Sequence, residues 1–232
     1  LPLTGIGSTG QQRIREAHVA LIGLGGIGCA VAQYLVSSGV GQLTLCDFDN
    51  VAESNLARQI LYRQSDVGRL KAEAAIENLQ GLNPNTRLQA VIRRMADADM
   101  QSLFPACDLV VDASDNYGTR LAVNRVCLEL KTPWIMASCI RMEGQLMFLR
   151  PDLTAQACYR CAYGSAPDTL EDCPGAGVFA PVAGISGASA AHFALAHLAG
   201  QTPPPGLHLF DASNWQWQSL KTVKKTGCKD CG

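Results

Sequence analysis

The stretch HVALIGLGGIGCAVAQYLVSSGVGQLTLCD, His18 to Asp47, decides the fold. It opens with a short apolar run, His18 to Ile22, that stops at a glycine and reads as a buried strand. A glycine-rich turn follows, from Gly23 through Gly25 and Gly26 to Gly28. Cys29 to Ser38 reads as a helix closed by Gly39, and Leu43 to Cys46 as a second strand ending on an acid, Asp47. Strand, tight turn, helix, strand, acid is the layout that places a nucleotide's phosphates on a helix start.

Working outward, the alternation continues. Asp66 is expected to cap a helix from about Val67 to Leu79, and Asn83-Pro84-Asn85 to break it. Strands are expected at Arg87 to Ile92 and Asp108 to Asp112, a helix at Thr119 to Leu130 and a strand at Trp134 to Ala137. The implied architecture is α/β, a doubly wound, mostly parallel sheet with helices on both faces. After Ser138 the pattern changes: a strand at Gln145 to Leu149, a loop-rich stretch from Pro151 to Gly177, and a buried helix from about Val182 to Leu198. Two antiparallel strands, LHLFD and WQWQSLKTV, close the chain around a turn at Ala212 to Asn214.

The bulk composition narrows the function. Of 232 residues, 47% are hydrophobic and 17% charged, so one large α/β domain with a substantial core is expected rather than disorder. A net charge of −1 supplies no basic stripe for nucleic acid. No apolar run approaches the roughly 18 residues of a membrane span. The first residues resemble neither a signal nor a transit peptide, and a cytoplasmic location is expected. The chain starts at Leu1 without an initiator methionine, so an N-terminal segment is expected to be missing.

Ten cysteines are present, and five of them (Cys29, Cys46, Cys107, Cys127 and Cys139) sit in or beside apolar runs as small hydrophobes. Four others form two C-x-x-C knuckles, Cys158 with Cys161 and Cys228 with Cys231. Each knuckle offers two thiolates from one tight turn, which suits a structural tetrahedral Zn2+ that pins the C-terminus to the body. Redox pairs are the alternative, but neither knuckle opens a helix of a thioredoxin-like unit. The tenth, Cys173, stands in a polar loop beside Glu171 and Asp172, where it is either a nucleophile or an ordinary exposed thiol.

The polar candidates cluster after the glycine turn. The turn either brings backbone N–H groups to a phosphate chain or simply permits tight packing. Asp47 either holds ribose hydroxyls or is a solvated strand-end carboxylate. Asn55, Arg58 and Lys71 follow the strand whose end faces a nucleotide, where the two cations suit a triphosphate. Asp115, after the fourth strand, suits Mg2+ with the phosphates supplying the remaining oxygens.

Together these stretches resemble the ThiF and MoeB adenylyltransferases, relatives of ubiquitin-activating enzymes. The resemblance rests on GLGGIG at Gly23 to Gly28, DFD at Asp47 to Asp49, SNLARQ at Ser54 to Gln59 and VGRLK ending at Lys71. It continues through DASDN at Asp112 to Asn116, IRMEGQ at Ile140 to Gln145 and the four knuckle cysteines. It implies a Rossmann-like sheet extended by antiparallel strands in a single domain, residues 1–137 binding nucleotide and 138–232 binding the carrier and zinc. By the same resemblance, Gly23, Gly25, Gly26, Gly28, Asp47, Asn55, Arg58, Lys71, Asp115 and Asn116 form the ATP site. Arg58, Lys71, Asp115 and Cys173 are its implied catalytic residues.

The implied reaction is adenylation of the C-terminal Gly-Gly carboxylate of a small ubiquitin-like sulfur carrier, followed by sulfur transfer in thiamine or molybdopterin biosynthesis. The implied cofactors are ATP, Mg2+ and Zn2+. The implied partners are the carrier, a sulfur donor (a cysteine desulfurase or a rhodanese-like protein) and a second copy of the chain. An arginine-bearing N-terminal segment that reaches the partner's ATP site in this family has no residue assigned to it here: either the sequence is truncated or the enzyme differs there. IRMEGQ is more similar to MoeB and the tail LHLFDASNWQWQSL to ThiF. An NAD-dependent oxidoreductase and a non-catalytic scaffold of the same fold are the alternative readings.

Overall fold

The computed structural model describes residues 5–153, 155–164 and 177–232. One eight-stranded sheet runs in the order β3-β2-β1-β4-β5-β6-β7-β8. Its parallel part comprises β1 (His18–Ile22), β2 (Gln42–Cys46), β3 (Arg87–Val91), β4 (Leu109–Asp112) and β5 (Trp134–Ile140). β6 (Glu143–Leu149), β7 (Leu207–Asp211) and β8 (Gln216–Leu220) continue it as an antiparallel meander. β1 and β4 are apolar without alternation because helices cover both faces of the central strands. At the free edge, every residue of β8 is exposed.

The helices are α1 (Gly7–Glu16), α2 (Gly26–Ser37), α3 (Lys71–Gln80), α4 (Asp97–Leu103), α5 (Tyr117–Leu130), α6 (Tyr159–Tyr163) and α7 (Ala180–Leu198). α2 ends as expected at Gly39, whose φ of +84° sets a left-handed cap. The Gly39 N–H donates to Val36 O and the Val40 N–H to Leu35 O, the paired bonds of a Schellman motif. α2 and α7 approach through small residues: a Cβ added at Gly187 would stand 2.6 Å from Ile27 O. Around them Leu21, Val31, Leu35, Leu45 and Ile135 are fully buried, each side chain contributing roughly 1.5–3 kcal/mol.

Several expectations need correction. α2 starts at Gly26, three residues before Cys29, because Gly25 already adopts an extended cap conformation and the helix begins within the glycine turn. Asp66 caps no helix; it closes a 3-10 turn (Gln64–Asp66), accepting the Arg63 N–H at 2.9 Å. Its other bonds, to Arg69 and Asn78, tie that turn to α3, which starts only at Lys71. Helices α1 and α4 were not anticipated, since their polar composition hides short buried faces (Gly10 and Ile14, then Met100). α6 interrupts the stretch expected to be loop. Cys107 and Cys139 are only half-buried, unlike Cys29, Cys46 and Cys127. Cys173 lies outside the described residues.

Candidate functional site

The strand order reverses between β1 and β4, so the loops after their C-terminal ends diverge and leave a crevice. The glycine turn stands at one side of it. Gly23 has φ +85°, and a Cβ there would stand 2.9 Å from Ala113 O in the loop after β4. A Cβ at Gly28 would collide with the Gly23 carbonyl, so the turn closes only with glycine at both positions. Gly26 is constrained by protein, with a notional Cβ 2.9 Å from Ala183 Cβ and 3.1 Å from Arg58 O. Gly25 differs: its notional Cβ meets only Gln59 Nε2, at 4.0 Å, so this backbone faces open space.

Asp47, at the end of β2, is buried to 8% exposure. Its Oδ2 accepts the Leu24 N–H at 2.7 Å and its Oδ1 the Asp49 N–H at 2.9 Å. Burial pushes its carboxyl above the usual range, opposed by the Lys71 charge and these two amides. Lys71 opens α3 with its side chain 8% exposed, and its Nζ lies 2.9 Å from Asp49 Oδ2. The Lys71 N–H also donates to Asp49 O at 2.9 Å, fixing the start of α3 to the DFD segment. Asn55 ends a 3-10 turn (Glu53–Asn55), and the half-buried Arg58 follows, its Nη1 donating to Ser54 O at 3.2 Å. Asp47 thus meets the turn through Leu24, Lys71 joins it through Asp49, and Arg58 lies beside Gly26.

Asp115 lies across the switch point in the loop after β4. It is exposed, and its carboxylate makes no hydrogen bond or ion pair with the described residues. A hard carboxylate open to a crevice suits Mg2+ with most of its coordination filled by phosphate and water. Asn116 caps α5, its Oδ1 accepting the Thr119 N–H at 2.8 Å. This bond fixes the loop to the start of the helix.

The four knuckle cysteines converge, their sulfurs all within 4.8 Å of one another. Cys158 Sγ is 3.8 Å from Cys161 Sγ and 3.7 Å from Cys228 Sγ, and Cys161 Sγ is 3.5 Å from Cys231 Sγ. A tetrahedron with Zn–S bonds of about 2.3 Å has edges of about 3.8 Å, so these thiols fit a structural zinc. The Lys225 N–H points at Cys161 Sγ from 3.3 Å, a donor that suits a thiolate.

Three contributors went unassigned in the sequence. Asp49 holds Lys71. Gln59 is 3% exposed with an unpaired Oε1 beside Gly25. Asn124, fully buried in α5, reaches both cysteine knuckles: its Oδ1 accepts the Tyr159 N–H at 2.9 Å and its Nδ2 donates to Asp230 Oδ2 at 2.7 Å. Asp49 and Gln59 lie within motifs quoted above, whereas Asn124 carries no sequence signal of its role.

A family model described as the ThiF family matches residues 1–230. The chain belongs to the ThiF family. Among ThiF relatives it is 40% identical over 231 residues to the sulfur carrier protein ThiS adenylyltransferase of Escherichia coli (strain K12), covering 99% of this chain and 92% of that protein. It is 38% identical over 233 residues to the molybdopterin-synthase adenylyltransferase of the same organism, covering 99% and 93%. Among solved structures, Escherichia coli MccB with ATP aligns with a TM-score of 0.86 at 23% identity, over 98% of this chain and 71% of that one. That likeness supports the fold. No helix among the described residues is long and apolar enough to cross a membrane.

Proposed function

We propose that this ThiF-family chain uses ATP to adenylate the C-terminal carboxylate of a small sulfur-carrier protein. The observation that carries the reading is near-full-length identity to two adenylyltransferases of such carriers, at 40% and 38%. The crevice supports it: a glycine turn with one open backbone face, a buried acid and two cations in one cluster. A hydride transfer would need an acid or base beside a nicotinamide site, and the relatives' names give the oxidoreductase alternative no support.

In the proposed reaction ATP lies across the turn, its phosphates on the start of α2 and its ribose at Asp47. Arg58 and Lys71 neutralise the triphosphate, and Lys71 exchanges Asp49 for a phosphate oxygen. A carrier carboxylate oxygen attacks the α-phosphorus, the bond to the bridging oxygen breaks, and pyrophosphate leaves with that electron pair. The product is an acyl-adenylate. Magnesium held by Asp115 would supply further charge neutralisation on the phosphates. The protein contributes mainly position and preorganised charge.

Residues 1–137 serve the nucleotide and 138–232 the carrier and zinc in this reading. The zinc is structural, a homodimer is the working unit, and a cysteine desulfurase or rhodanese-like protein donates sulfur to the activated carboxyl. Identities of 40% and 38% fit a ThiS-like or a MoaD-like carrier. Mass spectrometry of candidate carriers after incubation with the chain, ATP and Mg2+ tests the proposal. A gain of one AMP on a Gly-Gly carrier is expected; no gain on any carrier overturns it.

A further inference from the structure

α5 joins two regions treated separately so far. Its N-terminus carries the Asp115 loop, and Asn124, two turns along and about 12 Å away, grips both zinc knuckles. Between them on the same helix stands Arg120. Its Nη2 donates to Ser114 O at 2.6 Å, gripping the residue before Asp115. The Ser114 N–H in turn donates to Asp112 Oδ1 at 2.9 Å, and Asp112 is fully buried at the end of β4. Burial raises this carboxyl's pKa, and the Arg120 charge opposes the rise.

The Arg120 charge also acts on Tyr159, the residue after the zinc ligand Cys158, opposing the rise that burial gives its phenol. Tyr159 is 1% exposed and packed among rings: Tyr163 at 4.6 Å, Tyr117 at 5.9 Å and Trp134 at 5.9 Å between centroids. It has little room to move, and its own N–H is held by Asn124. The first zinc knuckle is therefore joined to α5 through Tyr159, by its ring contact with Tyr117 and its N–H bond to Asn124, and α5 in turn holds Ser114 O, one residue from Asp115, through Arg120. The second knuckle is drawn into the same assembly, because Asp230 bonds Asn124 and lies 2.7 Å from Arg160 Nε.

We propose that Arg120 is a positioning residue for the Asp115 loop, and that Tyr159 makes the set of that loop depend on the zinc knuckle. The inference rests on the reading of Asp115 as a magnesium ligand in the adenylation site. A flat guanidinium is suited to the task, since it can hold a carbonyl on one side while facing a phenol and a carboxyl on others. Lysine, a single point donor, can satisfy only one of these neighbours at a time. The zinc site then has a role beyond holding the C-terminus: it supplies the wall against which the magnesium loop is set.

The test uses the full chain and its Arg120→Lys, Arg120→Ala and Tyr159→Phe variants, each checked for zinc content and melting temperature. Mn2+ replaces Mg2+, and binding of Mn2+–ATP is followed by electron paramagnetic resonance. ATP binding without added divalent ion is measured alongside. Arg120→Ala is expected to weaken Mn2+–ATP binding at least tenfold and leave metal-free ATP binding within twofold. Arg120→Lys, which keeps a cation near Asp112 and so the fold if alanine does not, should weaken it by a smaller factor. Tyr159→Phe should weaken it two- to fivefold with one zinc per chain retained.

Equal weakening with and without the divalent ion would make Arg120 a direct phosphate ligand and overturn the positioning role. A Tyr159→Phe chain that binds like wild type would overturn the link to zinc. If the wild-type chain itself binds no Mn2+–ATP, the functional reading fails rather than this one.

Discussion

The ammonium of Lys71 is bound by Asp49, 2.9 Å away, and not by the buried Asp47 two residues earlier. Asp49 is more than half exposed while Lys71 is nearly covered, so the pair lies at the crevice wall with its acidic partner free to swing out. Because its acidic member is open to solvent, the pair is held loosely enough on that side for a phosphate to displace the carboxylate. Asp49→Asn is therefore expected to lower the KM for ATP by about two- to fivefold in carrier-dependent ATP–pyrophosphate exchange. Lys71→Ala should cut kcat/KM by about a hundredfold or more. A raised KM in Asp49→Asn would mean that Asp49 holds Lys71 in its working position rather than competing for it.

The glycines of the turn should separate by role. Gly28→Ala puts a methyl group onto the Gly23 carbonyl, so a loss of about 2 kcal/mol or more is expected in chemical unfolding. Gly25→Ala has free space in the protein and should melt within about 2 °C of wild type, yet bind ATP at least tenfold more weakly. Normal ATP binding by Gly25→Ala would move the phosphates away from this turn.

For the four-cysteine site, freshly purified protein is expected to carry one zinc per chain by elemental analysis. Cys231→Ser should lose it and melt roughly 10 °C lower, the shift that about 3–4 kcal/mol produces in a domain of this size. A wild-type content well below one zinc per chain would remove the metal from the description.

Asp47 gives a pH signature. Its folded carboxyl is raised, by burial first and against the Lys71 charge and two backbone amides. The unfolded chain gives up this proton at lower pH, so ionising Asp47 in the fold costs stability as pH rises through the window above the ordinary Asp value of about 3.9. In the proposed site, ribose hydroxyls need the ionised form. The ratio of ATP affinities, wild type over Asp47→Asn, should therefore fall on acidification at a pH above the ordinary carboxylate range. A ratio constant down to that range would detach Asp47 from the nucleotide.

Much of this arrangement was legible before any coordinates. The run from His18 to Asp47 announced itself because a strand buried on both faces must be apolar throughout, and a turn this tight admits only glycine at Gly23 and Gly28. Spacing singled out the four cysteines that converge, since two of them with two residues between form a knuckle wherever the chain carries it. Helices α1 and α4 escaped because short helices with one or two buried residues leave almost no periodic signal. Asp66 was misplaced because an acid before a helical run looks the same whether it caps that helix or closes the turn preceding it.

The sequence by itself determined the βαβ opening, the mostly parallel sheet, the two cysteine knuckles and the family, because each is written in local spacing or in contiguous motifs. Only the tertiary structure decided that Lys71 meets Asp49, that Gly25 alone among the glycines of the turn faces open space, and that Arg120 and Asn124 tie the cysteine knuckles to the Asp115 loop. These relations join residues as far as 106 positions apart, Asn124 and Asp230. No local propensity encodes them; they arise when the assembled sheet and its helices bring distant side chains within hydrogen-bonding distance.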